Sequence, residues 1–266
     1  MSLRIILAVA AACCVFSAVA AATAADRAGL SALPGLYPRD ETLPAAEIIA
    51  RAHAAAGGET WARPASLFMS GYSVMYRDGA AATYDRYEMS RVYPARKGDA
   101  HKADGKVRIE AWRDGERAFV IAYDGERTYD ANGPVTDQSA NARWASNFGF
   151  GAIRHALDEG WSQRRLPDDL VDGRLAHVVE LTDPSGGTTR FAIAADDYAI
   201  LYVGFDTPRG WHERRYSEFF TRPGRSWVQP GRVRLYYDGV KQNEVIWEDF
   251  DLDVDFSDDR FRVAAP

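Results

Sequence analysis

The chain has 266 residues, 47% of them hydrophobic and 12% aromatic, and its 32 Lys and Arg set against 38 Asp and Glu give a formal net charge of -6. That length can bury one large core, as all-β barrels and sandwiches of this size do. Basic residues do not cluster along it, which sets nucleic acid aside as a partner.

The first element is a leader. Met1 to Arg4 carries one positive charge, Ile5 to Ala22 is apolar apart from Ser17, and Ala20 to Ala25 is rich in the small residues a signal peptidase accepts. This pattern predicts a cleaved secretory signal over residues 1–25 and an exported, periplasmic mature chain, 26–266. A retained anchor fits poorly, because a run of small Ala residues makes a weak stop-transfer segment. Cys13 and Cys14 fall inside the leader, so the mature chain is expected to hold no disulfide, thiolate nucleophile or cysteine metal site. A lipidated N-terminus would need a Leu three residues before the cysteine, and Ala10-Ala11-Ala12 precede Cys13. Loss of Arg4 takes the net charge to about -7.

Residues 26–41 form a loose segment with Pro34 and Pro38. Thr42 is placed to cap a helix with Pro44 in its first turn. Ile48, Ile49, Ala52, Ala55 and Ala56 recur at helical spacing, and Gly57-Gly58 ends the run. From Ser66 the period changes. Asp-Gly stands at 78–79, 104–105, 114–115, 124–125, 172–173 and 238–239, and both residues tolerate the positive φ of a tight hairpin turn. Six such pairs, most flanked by alternating apolar residues, predict a meander of antiparallel strands.

Val107, Ile109 and Ala111 alternate with Arg108 and Glu110, and Ala118 to Tyr123 is apolar throughout, as in a strand covered on both faces. Near 140–159 Trp144, Phe148, Ala152 and His155 recur at helical spacing, beside Gly149, Ile153 and Leu157. The glycines weaken this helix by about 1 kcal/mol each. It would be either a movable cover in the mouth of a curved sheet or an ordinary packed helix. Val178, Val179, Leu181, Phe191, Ile193, Leu201, Val203 and Phe205 mark the following strands, and Val233, Leu235 and Tyr237 alternate with Arg232 and Arg234. In the last strand Phe250, Leu252, Val254 and Phe256 point one way and Asp249, Asp251, Asp253 and Asp255 the other. No break in composition divides 26–266, which reads as one domain.

Catalytic patterns are missing from the sequence. His53, His101, His155, His177 and His212 show no helical zinc spacing, no serine sits in a nucleophile elbow, and no glycine-rich loop opens a helix to hold phosphate. No cofactor or metal is expected. Carboxylates two apart on a strand lie about 7 Å from each other, too far for one calcium to gather the terminal Asp row, which reads as a solvated face that discourages edge pairing. Arg164-Arg165 and Arg214-Arg215 read as exposed basic pairs.

The stretch Leu170 to Leu181, continued through Pro184-Ser185-Gly186 into Arg190-Phe191-Ala192-Ile193, resembles the central hairpin of LolA-like periplasmic lipoprotein carriers. Ile48-Ile49-Ala50-Arg51-Ala52-His53, Gly57-Gly58, Trp61, and Trp247-Glu248-Asp249-Phe250 with Phe261 extend the resemblance over about residues 45–263. It implies a mainly β fold, a strongly curved antiparallel sheet or incomplete β-barrel, with a few helices over the concave face and an apolar cavity for acyl chains. The chain departs from the outer-membrane receptor relatives in lacking a lipidated Cys, and from the family in insertions such as 94–105. The expected function is a non-enzymatic periplasmic carrier of a lipid or acylated protein, docking with an inner- or outer-membrane envelope protein. The alternative is an envelope adaptor with the same fold and no cargo. Strand alternation nominates Phe119, Ile121, Tyr123, Val179, Leu181, Phe191, Ile193, Leu235 and Tyr237 for the cavity, with Trp144 and Phe148 as its lid.

Overall fold

The computed structural model describes residues 33–102, 104–137, 139–141 and 149–265. The expected leader and the two proposed lid residues, Trp144 and Phe148, lie outside them.

Helix α1 spans Ala45–Ala56, with Glu47 in its first turn and Ile48, Ile49 and Ala52 fully buried. Its N-cap is Pro44, not Thr42. Thr42 turns back to Asp40, whose Oδ1 accepts both the Thr42 amide, at 2.8 Å, and its hydroxyl, at 2.6 Å. At the other end Gly57 has φ 132°, and a Cβ there would stand 2.8 Å from the Ser226 carbonyl oxygen. The glycine is required twice over, because segment 226–228 closes the helix end: the Val228 amide donates to the Ala56 carbonyl at 2.9 Å. A short helix, α2 (Glu59–Ala62), then buries Trp61.

Fourteen strands follow: β1 Ser66–Arg77, β2 Ala80–Val92, β3 Lys106–Arg113, β4 Glu116–Tyr123, β5 Thr128–Asp130, β6 Gly133–Pro134, β7 Ser162–Arg165, β8 Asp169–Val171, β9 Arg174–Thr182, β10 Thr188–Ala194, β11 Ile200–Thr207, β12 Gly210–Phe220, β13 Gln229–Tyr237 and β14 Val240–Leu252. They make one antiparallel sheet in the order β6-β5-β4-β3-β2-β1-β14-β13-β12-β11-β10-β9-β7, with β8 also on β9. Each half is a meander, and the first and last long strands pair at the centre. The outermost strands of this order, β6 and β7, do not pair, so the sheet is not closed into a barrel.

Four of the Asp-Gly pairs, at 78–79, 114–115, 172–173 and 238–239, are two-residue hairpin turns with positive φ at both positions. The other two are not. Asp104-Gly105 leads into β3, and Asp124 begins the β4–β5 loop, where its Oδ1 accepts the amides of Glu126 and Arg127.

Curvature follows from what shares a core. Ile48, Ile49 and Ala52 of α1 lie in one apolar cluster with Leu67 and Met69 of β1, Phe250 of β14, and Val179, Leu181 and Phe191 of β9 and β10. β1 and β9 are six strand steps apart in the sheet order. Laid flat, those steps would span about 29 Å, far more than the roughly 10 Å width of a helix. The sheet therefore curls around α1, α2 and a 3-10 helix at Gly149–His155.

That last element was expected as an α-helix, and glycines at 149 and 151 account for the tighter, poorer turn. It is held from outside: Ala152, Ile153 and Ala156 are buried, the His53 ring Nε2 lies 2.7 Å from the Ile153 carbonyl oxygen, and Arg63 donates to the Arg154 carbonyl at 3.0 Å.

The convex face of β3 and β4 is also covered, contrary to the simple in-and-out reading of Arg108 and Glu110. The C-terminal segment, including a 3-10 turn at Asp258–Phe261, crosses it. Arg108 donates to Glu110 at 2.7 Å and to the carbonyls of Arg260 and Arg262, while Val263 packs on Val120, Ala122 and Tyr129. The alternation of the last strand likewise stops at Leu252. Asp253 takes φ 57°, and Phe256 turns to meet Phe261 edge-on at 5.6 Å. Asp249 and Asp251 pair with Arg222.

The 94–105 segment is tied to the β9–β10 turn by Asp183. Its carboxylate accepts the amides of Ala100 at 2.6 Å, Ser185 at 2.8 Å and Gly187 at 2.9 Å. Burial works against the charged carboxyl here, but these hydrogen bonds prevail and hold it below the ordinary 3.8. A carboxyl depressed in the folded state stabilises fully above its unfolded pKa and loses that contribution as pH falls through the folded value. Asp183→Asn is therefore expected to cost about 1–3 kcal/mol near neutrality. In urea titrations the gap from the parent should close below about pH 3.8. A gap that persists unchanged in acid would contradict this role.

Candidate apolar cavity

The concave face does not fill completely. A cavity of about 490 Å³ lies between the sheet and its helical cover, within the roughly 300–1,000 Å³ typical of small-molecule sites. Its wall is built from cross-strand rows, as strand alternation requires. One row runs Ile109, Met89, Met69 across β3, β2 and β1, each directly opposite the next. Another runs Tyr216, Val233, Val245 across β12, β13 and β14, and a third Arg214, Leu235, Asn243 on the same strands. Leu67, Tyr87, Trp247, Phe191 and Ile200 add to the sheet side.

The cover explains why space remains. Where α1 faces the cavity it presents Ala55 and Ala56, while its bulkier Ile48 and Ile49 pack into the solid core. Beside these alanines the roof is aromatic. Trp61 and Trp227 stand 6.4 Å apart, and Trp227 reaches down to Phe250 of β14 at 6.3 Å; on the sheet side Tyr87 lies 5.5 Å from Trp247. Burial pushes the Tyr87 and Tyr216 phenols up to about 12, so both stay neutral and add ring surface without charge.

The charged groups of the lining are Arg154, Arg214 and Asp197. Asp197 is already engaged: it pairs with Arg174 at 2.8 Å and accepts the Ala199 amide at 3.0 Å. Arg154 comes from the 3-10 helix and is buried, its guanidinium carbon 4.5 Å from the Trp61 ring, 4.8 Å from Tyr93 and 5.2 Å from Trp227. Arg214 was expected on the surface and instead faces inward. So does Arg165, buried against Asp168 at 2.8 Å, because β7 packs on β9. Arg164 and Arg215, the other members of the two pairs, form ion pairs with Glu180 and with Glu213 and Asp172.

Of the residues nominated from sequence, Phe191 and Leu235 line the cavity. Val179, Leu181 and Ile193 are fully buried in the adjoining core. Phe119 is half-buried, edge-on to Tyr84 at 5.7 Å and to Tyr87 at 6.3 Å. Ile121 and Tyr123 belong to a smaller cluster with Val107. Tyr237 stands beyond a bulge between Leu235 and Tyr236 and packs against His212 at 5.2 Å. The lining of β1, β2, β12 and β14 was not nominated, although Leu67/Met69, Tyr87/Met89 and Val245/Trp247 carry the same period-two signal.

The histidines have other work. His177 bonds Asp168 at 3.0 Å, and His101 and His212 stack on the two sides of the Phe205 contact at 4.3 and 4.5 Å. No histidine lines the cavity, and among the described residues no group of three or more His, Cys, Asp or Glu is placed to hold a metal.

No family model matches the chain, and no curated protein matches it. Among solved structures it is similar to a DUF1329 family protein from Desulfovibrio piger, at 12% identity over 82% of this chain and 97% of that one, with a TM-score of 0.49. It is also similar to a LolA superfamily protein from Nitrosomonas europaea, at 17% identity over 82% and 96%, with a TM-score of 0.49. A putative outer membrane lipoprotein-sorting protein domain from Vibrio parahaemolyticus shows 13% identity over 81% and 94%, with a TM-score of 0.46.

Proposed function

We propose that this chain is an exported, non-enzymatic binder of an apolar chain, carrying a lipid or the acyl chain of an acylated protein through the periplasm. The observation behind this is the unfilled cavity, walled largely by apolar side chains and roofed by alanines and tryptophans. The leader-like residues 1–25 supply the reason to place it in the periplasm.

The energetics need no catalytic group. Each methylene moved out of water contributes roughly 0.8 kcal/mol. A chain of about 12 methylenes gives on the order of 10 kcal/mol before ordering costs, which leaves useful affinity. The cavity-lining Phe191 and Leu235 would touch the chain directly. Val179, Leu181 and Ile193 would flank it in the adjoining core, and Trp144 and Phe148 remain the proposed lid.

Leu235→Trp tests this by filling the cavity from the sheet side. Retention of a fluorescent fatty-acid probe is expected to fall about tenfold or more, since a displaced chain loses several buried methylenes. Reduced stability with unchanged retention would remove the support for a cargo site. Native mass spectrometry of protein purified from its own periplasm gives the companion readout. A bound acyl-bearing molecule fits the carrier, and a clean apo mass with no uptake of offered lipids favours the cargo-free adaptor.

A further inference from the structure

Arg154 is costly where it stands. It is 7% exposed, it sits among rings, and its Nε and Nη1 are buried with no hydrogen-bond partner. The rings around it stabilise the positive charge through their faces but accept none of its N–H groups in the plane of the guanidinium. A buried cation with open donors is ordinarily answered by an anion. The carboxylate in the lining, Asp197, is committed to Arg174. Two further arginines stand near it: Arg214 shares the lining, and Arg91 is buried close by. Burial above all, opposed by Tyr93 and Asp104 and aided by the like charges of Arg154 and Arg214, holds the Arg91 guanidinium below its ordinary value. An apolar cavity that served hydrocarbon alone would be more stable with Met or Leu at 154.

We infer that the cavity selects amphiphiles with an anionic head, a carboxylate or a phosphate ester on an apolar chain, and that Arg154 receives that head while the sheet rows take the chain. This rests on the cavity being a cargo site, as proposed above. Arg154 offers a planar fork of donors matched to two oxygens of one head group. The Trp61, Tyr93 and Trp227 rings fix the fork in place, so little rotamer freedom is lost on binding.

The test compares three ligands of equal chain length on the purified mature protein near pH 7: hexadecanoic acid, hexadecyl phosphate and hexadecanol, in competition against one fluorescent probe. An anionic head is expected to bind roughly tenfold to a hundredfold tighter than the alcohol. The ratio of acid to phosphate then tells which head the site prefers. In Arg154→Met the preference for the charged ligands should collapse to about one while hexadecanol binding holds, and Arg154→Lys should restore part of it. A purely structural arginine would weaken all three ligands alike.

Equal binding of all three ligands by the wild-type protein would overturn the anionic preference and leave the cargo site standing. Failure of all three to bind would overturn the cargo site as well. Both outcomes are read on the wild-type protein, so the test survives a variant that does not fold.

Discussion

Trp227→Ala is expected to lower the stability of the folded chain by about 3–5 kcal/mol. The indole is 1% exposed and lies between Trp61 and Phe250, with its Nε1 donating to Gln229 Oε1 at 3.0 Å. Truncation removes those contacts, and the neighbours cannot close the gap because a cavity already lies on one side. The segment beside it closes the end of α1 through the Val228 amide and the Ser226 hydroxyl, so loosening the ring also loosens that cap. Urea unfolding followed by tryptophan fluorescence, with circular dichroism as a second probe, measures the loss. A change under about 1.5 kcal/mol would mean that the roof of the cavity is not part of the cooperative core.

The second large effect belongs to a buried polar cluster on the far half of the sheet. Asp168 accepts from Arg165 at 2.8 Å and lies 3.0 Å from His177 Nδ1, and all three side chains are close to fully buried. Arg165 Nε and Nη2 have no hydrogen-bond partner, so the charge depends on this one carboxylate. Asp168→Ala strands a buried guanidinium and is expected to cost about 3–5 kcal/mol. Asp168→Ala combined with Arg165→Met should recover much of that loss, because an apolar replacement of the whole pair avoids the uncompensated charge. A double variant no more stable than the single one would show that the damage comes from packing and not from charge.

The features legible in the sequence were local ones. Asp78-Gly79 and Asp238-Gly239 announce hairpins because two adjacent residues must take positive φ, a demand met within the turn itself. Alternation in β13 and β14 shows which side chains share a face. What lies opposite that face is a tertiary fact, and here the cavity assignments scattered. Val179 and Leu181 point inward but meet solid core.

Bulges add a second difficulty. An extra residue in β14, Gln242, stands opposite the Leu235–Tyr236 step and bends the ladder there, and Tyr237 goes to His212 while Leu235 faces the cavity. Arg214 carries no local sign of burial, since its position follows from pairing with Leu235 across β12 and β13. Arg154 is hidden more deeply still. It sits in a glycine-weakened segment whose 3-10 turn is held in place by contacts from α1 and Arg63. Arg108 and Glu110 look like a solvated stripe until the C-terminal segment, some 150 residues on, crosses them.

The central pairing of β1 with β14 bears on how the chain becomes a protein at all. Each meander can begin to form from neighbours in sequence, but the seam that joins them matches Leu67 with Leu252 and Met75 with Asn243. Contacts so distant along the chain must meet a large closure entropy before they return any stability, which makes this topology slow to fold. Until β14 has emerged, β1 lacks one partner, and the concave wall lacks Val245, Trp247 and Phe250. A chain whose two sheet halves pair only through its last long strand stays unfinished until its synthesis is nearly over.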